Sequence, residues 1–232
     1  MKRLQRQWDL IPTEKLMAVK ANIIGCGAIG SHTSMALAKM GVTDQTLWDF
    51  DDVAIENSNS QGFSQADIGK PKVECLQRMI REHTGETINI RYEKYVDQQL
   101  SGIVIASVDS MAVRLQIWNK VKNNPLVRYY IDPRMSIEYA LLYTIDPNNP
   151  DDVAMYERTL YTDDNSVQEP CTMKAVIYTA YLIAGLICKV VKDIITDGNY
   201  ARNVIWDIAN NDLEVYRKDH NGRDNRASQP SA

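Results

Sequence analysis

The stretch Ala21–Asp52, ANIIGCGAIGSHTSMALAKMGVTDQTLWDFDD, limits what this chain can fold into more than any other. Asn22–Ile24 is a short apolar strand, and Gly25-Cys26-Gly27-Ala28-Ile29-Gly30 is a G-x-G-x-x-G turn. Ile29, Thr33, Ala36, Leu37 and Met40 recur at helical spacing, and Gly41 is placed to stop the helix. Thr46–Phe50 is the next strand, and Asp49 ends it about 20 residues beyond the last glycine. Each glycine has a physical reason. The first permits the tight turn, the second lets a phosphate approach the backbone, and the third lets helix and strand pack closely. The helix N-terminus then offers unpaired N–H groups and partial positive charge to an anion. Asp49 is placed to accept hydrogen bonds from a ribose. The pattern implies a nucleotide, and by itself leaves open which one.

Beyond this unit the pattern implies one doubly wound α/β domain. Thr13–Val19 reads as a short entry helix with Thr13 as its cap. Asp51–Ile68 is rich in Asn, Ser and Gln without core periodicity, and reads as a long loop with a short helical turn. Loops of this length in a compact domain tend to carry function. Lys72–Thr84 is an amphipathic helix closed by Gly85, and Ile88, Ile90 and Tyr92 alternate as a strand. Gly102–Ser107 is a continuous apolar run, as a central parallel strand requires. Ser110–Lys122 follows as a helix and Val127–Ile131 as a strand. In such sheets ligands sit beyond the carboxyl ends of the strands, which nominates Gly25–Gly30, Asp49–Asp52, Asp109 and Asp132. The second half is expected to hold a strand at Met135–Ile145, an acidic and partly irregular stretch at Asp151–Pro170 and a long helix at Ala175–Thr196. A hairpin of Val204–Ile208 with Leu213–Tyr216 follows, around Asn210-Asn211. Residues 1–217 are expected to form the single domain and 218–232 a disordered tail, since KDHNGRDNRASQPSA has no apolar residue beyond alanine. The sheet is therefore expected to be mainly parallel, with antiparallel strands at its C-terminal end.

Composition excludes several classes. The 232 residues carry a formal charge of −4, which argues against a broad nucleic-acid or anionic-membrane surface. No apolar run reaches 18 residues, and MKRLQRQWDL lacks the apolar core of a signal peptide, so a cytoplasmic protein is the expectation. Cys26, Cys75, Cys171 and Cys188 form no C-x-x-C pair, so no zinc site is expected. Cys26, Cys75 and Cys188 read as buried reduced thiols, and His32, His83 and His220 as ordinary structural or surface residues. Glu169-Pro170-Cys171-Thr172 differs, because it precedes the long helix, whose N-terminus would favour a thiolate.

The segments after the glycine turn separate an adenylating enzyme from a nicotinamide or flavin enzyme. DFDDVAIENSNSQGF at 49–63, IGKPKVE at 68–74 and ASVDSMAVR at 106–114 together resemble the ThiF/MoeB/HesA group, bacterial relatives of ubiquitin-activating enzymes. That group has D-x-D-x-V-x-x-S-N-x-x-R-Q, then G-x-x-K, then D-x-x-x-x-R. The likeness runs collinearly over about residues 5–120 and more loosely through Cys171 and the long helix.

The resemblance implies ATP-dependent adenylation of the C-terminal carboxylate of a ubiquitin-like carrier protein or peptide, with release of pyrophosphate. Attack of one anion on another needs charge neutralisation and alignment more than acid–base chemistry. By this likeness Gly25, Gly27, Gly30, Asp49, Asp51, Asn57, Gln61 and Lys72 form the ATP site. Asp49 is the ribose acid, Lys72 the charge near the α-phosphate and Asp109 the Mg²⁺ carboxylate. Arg6 corresponds to an arginine that reaches across a homodimer into the partner's site, and Cys171 to an acyl acceptor that forms a thioester. One position departs: Ser60 stands where the group usually has arginine. Either Lys70, Arg114 or Arg134 compensates, or adenylation is weakened and the chain is a partner-binding relative. An NAD(P)-dependent oxidoreductase is the remaining alternative, favoured by the opening unit alone.

Overall fold

The computed structural model describes residues 2–161, 176–218 and 224–226. They form a nine-stranded sheet flanked by six α-helices. Five strands are parallel: β1 (Lys20–Ile24), β2 (Asp44–Asp49), β3 (Asn89–Tyr92), β4 (Gly102–Ala106) and β5 (Val127–Ser136). They lie in the order β3-β2-β1-β4-β5. Four strands continue the sheet in antiparallel pairing: β6 (Tyr139–Ile145), β7 (Asn203–Asp207), β8 (Asp212–Lys218) and β9 (Asp224–Arg226). The doubly wound parallel sheet with C-terminal antiparallel strands is thus as expected.

Side-chain alternation divides the core. Ile103 and Ile105 of β4 face one side, with Ala21, Ile23 and Leu47. Val104 and Ala106 face the other, with Ile24, Trp48 and Tyr130. The first side is covered by α1 (Thr13–Met17), α2 (Ala28–Met40), α3 (Lys72–Thr84) and α6 (Ile177–Thr196), among which α2 and α6 pack extensively on each other. The second is covered by α4 (Met111–Val121) and α5 (Pro150–Glu157), which supply Ile117, Trp118 and Tyr156. The return from α2 to β2 is fixed by buried Gln45, whose amide donates to the carbonyls of Ser34 and Val42 and accepts from the Ser34 hydroxyl. No helix among the described residues is long and apolar enough to cross a membrane.

Several expectations need correction. Met135–Ile145 is not one strand. The chain turns at Ile137-Glu138, so β5 runs five residues further than the expected Ile131 and β6 returns beside it. The acidic stretch after Asn149 begins with helix α5, capped by the Asn149 side chain, which accepts from the N–H groups of Asp151 and Asp152 at 3.0 and 3.4 Å. The entry helix ends at Met17, and Thr13 is its first helical residue, not its cap. Helix α4 begins at Met111 with Ser110 as its cap. Within the expected tail, Asp224–Arg226 pairs with β8 as β9. The loop at 51–68 contains two 3-10 turns, Ile55–Asn59 and Gln65–Asp67.

The contact between α2 and the sheet makes a direct prediction. Leu37 of α2 is fully buried in the first core. Leu37→Ala should lower unfolding free energy by about 2–5 kcal/mol in urea denaturation. A loss within experimental error of zero would contradict the packing described.

Candidate nucleotide site

The site forms where β2, β1 and β4 end side by side. Gly25 N–H donates to the Trp48 carbonyl and Ser107 N–H to the Ile24 carbonyl, both at 2.8 Å, so the glycine turn lies between the ends of β2 and β4. Gly25 has φ of +91°, and an added Cβ would lie 2.4 Å from the Ser107 carbonyl oxygen. A Cβ on Gly30 would lie 1.9 Å from the Gly25 carbonyl oxygen. Neither position admits another residue without moving backbone. A Cβ on Gly27 would meet nothing closer than the Gln61 amide nitrogen at 3.9 Å, so the turn is open on the Gln61 side.

Asp49 closes the turn. Its carboxylate accepts from Cys26 N–H at 2.6 Å and from Asp51 N–H at 2.8 Å. Burial raises its pKa, and those two N–H groups with Lys72 oppose the rise. Asp49 therefore holds the turn in shape. Asp51 pairs with Lys72 at 2.9 Å, and the Lys72 N–H also donates to the Asp51 carbonyl. Lys72 opens α3 and is only 6% exposed, so it is not a solvated surface charge. Asn57 spends its side-chain oxygen on Ala54 N–H at 2.9 Å, which shapes the 3-10 turn beside the site.

Two residues on the first turns of α2 were not anticipated. Ser31 Oγ accepts from Gly62 N–H at 3.0 Å, and the His32 ring Nε2 bonds the Ser60 carbonyl at 3.0 Å. Tyr181 of α6 packs on His32 with ring centroids 4.5 Å apart. Together they fix Gln61 over the turn from both sides. The only signal in sequence was their position directly after the third glycine.

The features fit a phosphate-bearing ligand. No side chain caps the N-terminus of α2. Gln61 Oε1 and Ser107 Oγ are buried beside the turn without a hydrogen-bond partner among the described residues. Asp109 stands exposed between β4 and α4, free of capping. Ser60 is buried with its carbonyl already engaged. Arg114 and Arg134 do not compensate for it, since both guanidinium groups are committed to buried Asp132. Lys70 is exposed at the site's edge.

Arg6 does not reach this site within its own chain. It lies exposed on the 3-10 segment Lys2–Gln7, whose Arg3 and Gln7 bond the last carbonyls of α2. Those lie at the other end of α2 from the glycine turn, roughly 20 Å away for 13 residues. Cys171 lies outside the described residues. Cys26 and Cys75 are buried and Cys188 half-buried, all free thiols. Burial raises the pKa of all three, Cys75 to about 11 and Cys188 to about 12, which disfavours the thiolate.

His32 gives the site a pH signature. Burial lowers its pKa from 6.5, against the raising effect of the Ser60 carbonyl. The native state resists protonation there, so this stability is complete above 6.5 and is lost as pH falls through the lowered native value. His32→Gln should flatten the fall in melting temperature as pH drops below 6.5. An unchanged slope would assign that fall to other groups.

The family model described as ThiF family matches residues 3–227. Molybdopterin-synthase adenylyltransferase of Haemophilus influenzae is 31% identical over 151 residues, covering 61% of this chain and 62% of the relative. This chain thus spans about three-fifths of the length of that curated relative. Among solved structures, Escherichia coli MccB with AMPCPP and MccA superposes with a TM-score of 0.69 at 20% identity, over 88% of this chain and 65% of that one. PaaA superposes with a TM-score of 0.72 at 16% identity, over 93% and 68%. At those identities the structures establish the fold, and the sequence match establishes descent: the chain belongs to the ThiF family.

Proposed function

We propose that this protein adenylates the C-terminal carboxylate of a ubiquitin-like carrier protein or peptide, using ATP and Mg²⁺. The observation that carries the reading is the uncapped N-terminus of α2 behind a glycine turn, with buried Lys72 beside the same strand ends. Phosphates seated on the α2 N–H groups would face Lys72, which offers positive charge to the α-phosphate as the carboxylate attacks. That attack forms the acyl–phosphate bond and breaks the bond to the pyrophosphate leaving group. Gln61 and Asn57 line the phosphate side, and Asp49 and Asp51 the ribose side. Asp109 would hold Mg²⁺. No group of three or more metal-binding side chains occurs among the described residues. One carboxylate suits Mg²⁺ nonetheless, because this ion takes its remaining ligands from phosphate oxygens and water.

The relatives support this reading by name, as an adenylyltransferase and as MccB with a nucleotide analogue and MccA. The oxidoreductase alternative is not favoured, because the family match runs far beyond the opening unit. A cytoplasmic location and a homodimer belong to the same proposal. Arg6 is too far from its own glycine turn to serve it, which favours service to a partner's site. Cys171 is proposed as the acceptor that turns the acyl-adenylate into a thioester with release of AMP.

Three outcomes test the proposal. ATP–pyrophosphate exchange should appear with a cognate carboxylate partner, and Lys72→Ala should reduce it by about 10²–10³-fold. No exchange with a partner that demonstrably binds would count against enzymatic adenylation and favour a binding-only relative. Mixing Arg6→Ala with Lys72→Ala protein should restore roughly a quarter of wild-type exchange, because half of randomly paired dimers regain one complete site. No recovery in subunits shown to exchange would sink the shared-site arrangement. Cys171→Ala should abolish a thiol-cleavable adduct while exchange persists; an adduct that survives would reassign the acceptor.

A further inference from the structure

Beyond the expected site lies a buried charge cluster. Asp132, at the end of the parallel part of β5, is fully buried. Its carboxylate accepts from Arg114 Nη1 at 2.5 Å, Arg134 Nε at 2.9 Å and the Tyr156 hydroxyl at 2.8 Å. Arg134 also donates to the carbonyl and hydroxyl of Thr159. The cluster thus joins α4, β5 and α5. A buried guanidinium without such a carboxylate would be strongly unfavourable, so Asp132 is what allows Arg114 to sit where it does.

Arg114 also donates to backbone through its Nη groups, while its buried Nε has no hydrogen-bond partner among the described residues. Nη2 donates to the Val108 carbonyl at 2.7 Å, and Nη1 lies 3.5 Å from the Ala106 carbonyl. The segment between β4 and α4 is held at both sides of this contact. Ser107 N–H is tied to Ile24, and Ser110 caps α4 by accepting from Val113 N–H. Asp109 is the residue between the Val108 pin and the Ser110 cap, and its own side chain is left exposed.

We propose that Arg114, held by Asp132, is a positioning residue: it pins the Ala106–Val108 backbone and thereby fixes the Asp109 carboxylate for Mg²⁺–ATP. This rests on the reading of Asp109 as the metal carboxylate. Mg²⁺ demands near-octahedral ligands at 2.0–2.1 Å and tolerates a wandering carboxylate poorly. A guanidinium spans a carboxylate and a carbonyl at once because its donors form a rigid fork. An ammonium at the same place keeps the charge against Asp132 but lacks that geometry.

The test uses the full chain with Arg114→Lys and, independently, Tyr156→Phe, which removes one donor from Asp132 while keeping the ring. Two quantities are read: amide hydrogen exchange of residues 107–110 without metal, and the Mg²⁺ concentration giving half-maximal ATP binding. Arg114→Lys should speed exchange in that segment about tenfold or more, with the rest of the sheet unchanged. It should raise the Mg²⁺ half-saturation several-fold while leaving metal-free ATP affinity as in wild type. Tyr156→Phe should move both in the same direction by less. A folded Arg114→Lys protein with wild-type exchange, or with loosened exchange and unchanged Mg²⁺ dependence, would overturn the proposal. Should Arg114→Lys not fold, unchanged exchange in Tyr156→Phe would overturn it equally. Wild-type ATP binding indifferent to Mg²⁺ would instead refute the metal role of Asp109, while the exchange measurement still judges the pin.

Discussion

The hydrogen bond from Cys26 N–H to the Asp49 carboxylate, 2.6 Å long, is the contact on which the site depends. It joins the turn after β1 to the end of β2, and the same carboxylate receives Asp51 N–H. Asp51 is thereby set opposite Lys72, which opens α3. One buried acid thus fixes the turn, the polar loop and the cation together. The cost of keeping Asp49 out of water is offset by the two N–H groups and the nearby lysine, the groups that oppose the rise of its pKa. An anion bound at α2 would meet backbone donors that are already aimed, with little reorganisation left to do.

A second, separate device serves the other edge of the crevice. The Asp132 cluster neutralises Arg114 within the fold, and Arg114 in turn holds the Val108 carbonyl. Ser31 and His32 hold Gly62 and Ser60 in a comparable way. The loops at 51–68 and 107–110 are thus each tied to a neighbouring element by specific polar contacts. Ser60 fits this pattern, since its buried carbonyl contributes to loop shape while its side chain adds no charge. On the function proposed above, Lys72, buried beside the glycine turn, would carry the neutralisation that an arginine at position 60 would otherwise share.

Much of this was legible in the sequence because local chemistry and global fold agree there. Gly25, Gly27 and Gly30, the helix to Met40, the helix Lys72–Thr84 with Gly85 in the left-handed conformation, and the Asn210-Asn211 hairpin all follow from turn chemistry and periodicity. The misses have equally local causes. Met135–Ile145 reads as one alternating strand because the turn at Ile137-Glu138 carries no Gly, Pro, Asn or Asp. Helix α5 was hidden by its acidic composition, although Asn149 as cap, Pro150 in the first turn and acids behind it are helix-start signals. Asp132 reads from its strand end as a ligand-side acid and Arg114 as a charge replacing an arginine at position 60, and neither reading foresees that they pair with each other in the interior. The two residues lie 18 apart on different elements, and no periodicity encodes a buried ion pair.

On the function proposed above, a nucleotide sits with its phosphates on the N-terminus of α2 within this glycine turn. Titration of ¹⁵N-labelled protein with Mg²⁺–ATP, followed by backbone amide resonances, tests it without knowledge of the acyl substrate. Gly27, Ala28, Ile29 and Gly30 should shift most, saturably, together with Gln61 and the Asp109 segment. Saturable ATP binding that leaves those amides unmoved and shifts residues elsewhere would contradict that placement.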